Sequence, residues 1–295
     1  MSWGYFKTMG RVKILYSAFL FFFQILLSEN LYIAGFAGVT SADFQKVKSL
    51  GANAVIYSGY LPPIRLKDTL KKAESLGINL IGRAEGKSKF QKSSLKIDFE
   101  SVARTIGKVF SGTEIAENPF FLGYYIIDEP CHRKKWDINV QEFKRFYNVV
   151  KGVNKNIRVM VNFGHLSCLE KFISQNGRIV DIAAFTVTPW KLRKFHNYIS
   201  SENLIAKRIK QKYHDLMIIA MVSVYEYPAK GEKIPSPDWI KKVSLKILDC
   251  KNFDGIIFYS WNPSGYMGKT IKDVIYEKEY REAFREIFEK VKSKF

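Results

Sequence analysis

The chain of 295 residues is 47% hydrophobic and 15% aromatic, enough to enclose one large core and marginal for two, so a single globular domain is the expectation. Lysine and arginine number 47 against 28 acidic residues, a formal net charge of +19 whose long-range field favours polyanions, anionic membranes or acidic glycans. The basic residues are scattered over predicted helices ("KKAESLG", "AKRIKQKYH", "KVKSKF") and not gathered into a stripe, which argues against a nucleic-acid partner.

In chain order, the first feature is a leader. Lys7, Arg11 and Lys13 precede an apolar stretch from Ile14 to Leu27, a charged n-region followed by an h-region of secretory length. The stretch is short for a transmembrane span. Ser28 is the one obvious small residue at a cleavage position. Residues 1–28 therefore read as a signal peptide or as an uncleaved N-terminal membrane tether acting through residues 14–27. Residues 29–295 are then a domain that is secreted or anchored facing outside the cytoplasm.

Past the leader one alternation repeats. Apolar, β-rich runs appear as "NLYIAGFAG", "ANAVIYSGY", "INLIGRAEG", "FFLGYYIIDEP", "IRVMVNFG", "VDIAAFTVTPW", "DLMIIAMVSVYEY" and "FDGIIFYSWNP". Segments of helical periodicity lie between them. "SADFQKVKSLG" predicts a helix capped by Ser41 and stopped at Gly51, and "IPSPDWIKKVSLKILDC" one capped by Ser236 with Pro237 at its first position. Strands apolar on both faces belong to parallel sheets covered by helices. About eight such units in about 265 residues are the proportions of a (β/α)8 TIM barrel. A doubly wound open sheet also alternates, but it calls for a glycine-rich phosphate turn, which "GFAGVTSADF" matches only loosely.

Three cysteines cannot all pair within one chain. Export would permit a disulfide between Cys131, just after an acidic pair, and Cys168, in "GHLSCLEK", if their loops are neighbours; Cys250 sits at a predicted helix end. No CxxC or Cys/His ligand spacing appears, so structural zinc is not expected.

A TIM barrel does its chemistry where the strands run out into the βα loops. The strand ends supply Phe36 on the first strand, Tyr60 on the second, Arg83 and Glu85 on the third, and Asp128 and Glu129 on the fourth. Asn162 and His165 follow on the fifth, Thr188 and Trp190 on the sixth, Tyr225 and Glu226 on the seventh, and Tyr259, Trp261 and Asn262 on the eighth. Glycosidic cleavage requires one protonated carboxyl to donate to the leaving oxygen and one ionised carboxylate to attack the anomeric carbon or activate water. Such chemistry calls for neither a metal nor an organic cofactor. Glu129, ending an apolar strand beside Asp128, is the acid/base candidate, since desolvation and a like charge both favour its protonated form. Glu226, between Tyr225 and Tyr227, is the nucleophile candidate. Tyr60, Trp190, Tyr259 and Trp261 offer flat faces for a pyranose, while Arg83, Asn162 and Asn262 can hydrogen-bond its hydroxyls.

"FLGYYIIDEP" together with "IPSPDWIKKVSLKILDCKNFDGIIFYSW" resembles the (β/α)8 catalytic domains of clan A glycoside hydrolases, especially their β-galactosidase-like and uncharacterised glycosidase branches. The resemblance implies a retaining glycosidase acting on an oligo- or polysaccharide. It implies Glu129 as acid/base ending strand four, Glu226 as nucleophile ending strand seven, and Trp261 lining the sugar subsite from strand eight. The asparagine that usually precedes the acid/base is Asp128 here, which bears on the contact to the sugar 2-hydroxyl.

Three rivals compete. His132, His165 and His196 after strand ends suggest a metal-dependent hydrolase, but the paired histidines an early strand should carry are missing. Phosphate recognition by "NPSGYMGK" after strand eight is the second rival, but the loop is too generic to favour it. The rival of a different class is a surface barrel that binds carbohydrate without cleaving it, with an aromatic cleft and no productive carboxyl pair.

Overall fold

The computed structural model describes residues 32–58, 63–83, 89–91, 94–96, 114–131, 140–189, 195–263 and 267–294, with positions 104 and 106. The leader, and with it the choice between signal and tether, lies outside the described residues.

Every apolar run forms a strand, in the order in which it occurs: β1 (Ile33–Val39), β2 (Ala54–Tyr57), β3 (Asn79–Arg83), β4 (Phe121–Asp128), β5 (Arg158–Asn162), β6 (Ile182–Val187), β7 (Met217–Ser223) and β8 (Gly255–Tyr259). Each strand pairs in parallel with the next, and β8 closes on β1 through Ile33↔Gly255 to Phe36↔Phe258, giving a closed (β/α)8 barrel. Alternate side chains divide between two cores. Ile33, Ala54, Ile81, Leu122, Met160, Ile182, Ile219 and Ile257 are among those filling the barrel interior. Val55, Leu80, Val159, Ala183, Ile218 and Ile256 join the outer shell beneath the helices.

The helices are α1 (Phe44–Ser49), α2 (Pro63–Ser75), α3 (Val140–Val153), α4 (Leu166–Asn176), α5 (Phe195–Lys212), α6 (Pro237–Leu248), the short α7 (Ile271–Val274) and α8 (Lys278–Lys294). Helix α6 starts as expected, the Trp239 N–H donating to Ser236 Oγ at 3.3 Å with Pro237 in the first turn. The expectation for Ser41 was wrong. Ser41–Asp43 form a 3₁₀ turn that leads into α1, so Ser41 lies within the turn and does not cap the helix. Gly51 does end the segment, at φ +102°. A feature absent from the sequence reading is the small antiparallel hairpin Lys89–Gln91 and Ser94–Lys96, between β3 and β4.

Strand β4 is irregular in a way that shapes the site. Its register shifts against β3 between the Leu80↔Phe121 and Ile81↔Gly123 pairs, and against β5 between Tyr125↔Met160 and Ile127↔Val161. Each shift is a bulge that inserts a residue and turns the following side chains over. Leu122 and Tyr125 therefore both face the interior, three positions apart, and Asp128 follows them to the rim. Gly123, at φ +138°, makes the first bulge feasible, because a side chain there would collide with the Arg158 carbonyl.

The C-terminal helix seals the seam between the first and last strands. Phe284 and Phe288 of α8 pack edge-on against Phe36 (5.2 and 5.4 Å) and Phe258 (5.0 and 5.9 Å). Truncating Phe284 to alanine should cost about 3–5 kcal/mol, read as a lower urea midpoint at unchanged m-value, because the cavity would open where the barrel closes.

Candidate functional site

At the C-terminal mouth of the barrel lies a cavity of about 260 Å³. Five tyrosines stand around its lining, Tyr57 from β2, Tyr125 from β4, Tyr225 and Tyr227 from the segment after β7, and Tyr259 from β8. The polar groups are Asp128 and Glu129 from the end of β4, Arg83 from β3, Asn162 from β5, Thr186 and Thr188 from β6, Ser223 from β7, and Lys230 from the loop after β7.

The centre of this array is a network around Asp128. Its Oδ1 accepts the Tyr125 hydroxyl at 2.9 Å and Asn162 Nδ2 at 2.8 Å. Burial, and next the negative charge of Asp128, push the Tyr125 phenol well above its ordinary range, so Tyr125 stays protonated and donates. Asn162 also meets Thr186 Oγ1 at 2.9 Å and accepts the Gly164 N–H at 3.1 Å. Its amide is thus committed to joining the ends of β4, β5 and β6.

Glu129 stands on the cavity in an unusual conformation. Its φ of +54° is the only positive value at a non-glycine position among the described residues. Left-handed backbone costs a side-chain-bearing residue about 1–2 kcal/mol and persists only where neighbours impose it. Here the Glu129 N–H donates to the Asn162 carbonyl at 2.6 Å. The neighbouring Gly164 leaves the carboxyl room, since a Cβ there would lie 3.4 Å from Glu129 Cγ and 3.5 Å from Oε1. Two residues on, Cys131 is disulfide-bonded to Cys168 in the first turn of α4. The two loops are neighbours, as that pairing requires. Cys250 is free and buried.

Beside Glu129 the start of α4 has a borrowed cap. His165 does not cap the helix; the buried Glu202 of α5 accepts the Leu166 N–H at 2.8 Å. His165 Nδ1 lies 3.4 Å from Glu202 Oε1 and 3.2 Å from the Tyr198 hydroxyl. Burial first, then the charges of Glu202 and Glu129, raise the Tyr198 phenol far above its normal range.

Strand β7 and the segment after β8 differ from expectation. Beyond Ser223 the chain runs on as an extended segment that bridges to Thr270, and its side chains keep alternating. Ser223, Tyr225 and Tyr227 face the cavity, and Glu226 faces the other way. The half-buried Glu226 carboxylate accepts the Lys269 N–H at 3.0 Å, and a side chain at Gly268 would collide with it. The expectation that Glu226 faces Glu129 across the cavity is therefore corrected by the parity of its segment. Trp261 is also corrected: it is 0% exposed and packs edge-on to Phe36 at 5.1 Å in the outer core. Tyr259, two residues earlier and facing inward, occupies the wall instead, edge-to-face with Tyr225 at 5.9 Å. Asn262 is not on the cavity lining; its Nδ2 donates to the Gly38 carbonyl at 2.7 Å and pins the β8 loop to the β1 loop. Phe36 is wholly core. Tyr60, Trp190, Glu85 and His132 lie outside the described residues.

The sequence reading missed Tyr57, Tyr125, Thr186, Ser223, Tyr227 and Lys230 as cavity residues. Period-two counting along β7 from Met221 would have picked out Ser223 and Tyr225 over Glu226. Among the described residues no group of three His, Cys, Asp or Glu side chains is placed to hold a metal ion, and no helix is long and apolar enough to cross a membrane.

Neither a protein-family model nor a curated protein matches the sequence. Solved structures do resemble the fold. An endo-β-1,4-mannanase from Thermotoga petrophila superposes with a TM-score of 0.62 at 12% identity, over 90% of this chain and 77% of that one. A glucosidase from Croceicoccus marinus gives 0.60 at 10% identity, over 88% and 66%. A β-D-glucuronidase from Dictyoglomus thermophilum gives 0.56 at 13%, over 88% of this chain and only about half of its own length, 51%. The barrel fold is thus shared with these glycosidases, and at these identities the likeness is one of fold.

Replacing Asn162 by alanine should destabilise the protein by about 1–3 kcal/mol in urea unfolding, since buried Gly164 and half-buried Asp128 and Thr186 lose a hydrogen bond together. Asn162→Asp would place a second carboxylate within reach of Asp128 and should be worse at neutral pH than at pH 4.

Proposed function

We propose that the cavity is a carbohydrate site, with a sugar ring against the tyrosines of its lining and Glu129 directed at its glycosidic oxygen. The observation that carries this reading is the composition of one small hollow. Aromatic faces, which suit the C–H side of a pyranose, surround a carboxyl pair and hydroxyl-binding groups at the rim where barrels of this kind work. Arg83 and Lys230 add two cations to the lining, which suits an oligosaccharide carrying acidic groups.

Binding without cleavage is the form of this reading that the geometry supports best. Double displacement needs an ionised carboxylate about 5–5.5 Å from the acid. The residues that β7 and its extension turn into the cavity are Ser223, Tyr225 and Tyr227, none of them a carboxylate. The glycosidase reading keeps one specific support: Glu129 directly follows strand four on the cavity, the position the sequence resemblance gives to the acid/base. Retaining hydrolysis would then require Glu226 to leave the Lys269 amide and turn inward.

We further propose that the chain works outside the cytoplasm, a setting that suits both the basic, apolar leader and the Cys131–Cys168 bridge. Cell fractionation with an N-terminal sequence of the mature protein would test this; a reduced, cytosolic chain that keeps Met1 would refute it.

Titration calorimetry against neutral and uronate-containing oligosaccharides, paired with turnover assays on aryl glycosides, tests the site. Glu129→Gln should weaken binding about ten- to a hundred-fold, the worth of a hydrogen bond to a charged group. Glu226→Gln should leave affinity within about two-fold. Turnover that Glu226→Gln abolishes would replace the binding reading with the retaining hydrolase. No binding to any saccharide, with Tyr259→Ala and Glu129→Gln both silent, would remove the carbohydrate assignment.

A further inference from the structure

We propose that the Cys131–Cys168 disulfide is a positioning device for Glu129, so that its reduction turns the cavity from a formed to an unformed state while the barrel stays folded. The bridge joins the loop that follows β4 to the first turn of α4, spanning 37 positions of sequence with its Cα atoms 6.2 Å apart. Each end is set in a different kind of anchor. Cys168 is buried, its N–H donates to the His165 carbonyl at 3.1 Å, and the turn that carries it is capped by the buried Glu202 through Leu166. Cys131 is exposed and follows Pro130, which follows Glu129.

Glu129 is held through its N–H by the Asn162 carbonyl, and on its C-terminal side the buried ring of Pro130 leads directly to the bridge, the restraint that ties this loop to α4. Its left-handed backbone is disfavoured for a glutamate, so local relaxation is downhill once that restraint is cut. The register pairs of β4 with β3 and β5 end at Arg83↔Tyr125 and Asp128↔Asn162, so releasing the loop puts at stake only the terminal bond from the Glu129 N–H to Asn162 and leaves the paired ladder intact. The exposure of Cys131 gives a thiolate access to the bridge.

The reducing step balances with a dithiol as partner. Its thiolate attacks one sulfur, the S–S bond breaks to a mixed disulfide, and the second thiol of the reagent closes on itself. The protein gains two electrons and two protons as two thiols, and the reagent leaves as a cyclic disulfide.

The inference rests on the carbohydrate reading only for its functional consequence; the local test is independent of any ligand. Hydrogen–deuterium exchange would be followed in the peptide that spans Tyr124–Cys131, in oxidised protein, in dithiothreitol-treated protein and in Cys131→Ser and Cys168→Ser. Exchange at the Glu129 amide should quicken about ten-fold or more in all three altered forms, while peptides from β1, β7 and β8 keep their protection. Unchanged exchange at Glu129 would overturn the proposal, as would loss of protection spread evenly over the barrel, which would make the bridge a general staple. Where a saccharide ligand has been found, its affinity should fall on reduction and return on reoxidation. Quickened exchange with undiminished affinity would overturn the functional half alone.

Discussion

Closure of the β-sheet is the constraint on which the rest depends. Eight parallel strands with apolar residues on both faces satisfy their backbone groups and hide both surfaces only if the last pairs with the first and helices cover the outside. Here β8 meets β1 through four residue pairs, and the Phe36, Phe258, Phe284 and Phe288 cluster packs behind that seam. With the interior filled by Ile, Leu, Met and Ala side chains, the strand ends are where polar groups can stand in a rigid frame and still reach solvent. The floor is used otherwise. There Asp181 gathers Lys151, Arg178, the Tyr147 hydroxyl and the Val159 N–H, and Asp254 takes Lys210 and the Ile218 N–H. Those carboxylates tie strand starts to helices.

The barrel was legible in the sequence because its cause is a coarse periodicity. Apolar runs of strand length, each followed by a helical segment, leave few folds, and every run named became a strand in the expected place. The site was less legible because it depends on which face a single residue presents. Glu226 was read by its position after a strand and its tyrosine neighbours, and a shift of one residue in parity sends it to the Lys269 amide. Trp261 was read by type, yet the chain after β8 turns it into the outer core and leaves Tyr259 on the wall. Asp128 and Glu129 were read from their place at the end of a strand, and both lie on the cavity lining. Simple alternation along "FLGYYIID" would put Tyr124 and Ile126 inward, whereas two bulges bring Tyr125 in instead and provide the donor that Asp128 needs.

The acidic pair with which strand four ends has two distinct jobs. Asp128 is held by neutral donors, Tyr125 and Asn162, in a network that also reaches Thr186 and Gly164. That network fixes the Asn162 carbonyl, which in turn receives the Glu129 N–H. Asp128 therefore acts through structure, while Glu129 stands beside it on the cavity lining with its carboxyl against Gly164. An asparagine in place of Asp128 could accept the same two donors with its carbonyl but without the charge, so the acid stabilises the network more strongly and also keeps negative potential beside Glu129.

Strand seven separates binding from cleavage. A retaining glycosidase needs its nucleophile on the inward face of that strand's end, where this chain presents the hydroxyl of Ser223 and then the ring of Tyr225. A serine can hydrogen-bond a sugar hydroxyl or hold a water but brings no charge to stabilise a developing oxocarbenium ion. To bring Glu226 in, the segment must break its three hydrogen bonds to Gly268 and Lys269 and swap faces with both flanking tyrosines, which would take aromatic surface off the cavity wall. Gain of a carboxylate and loss of the stacking surface are thus coupled in this sequence. The arrangement that keeps the tyrosines on the lining is the one that keeps Glu226 away.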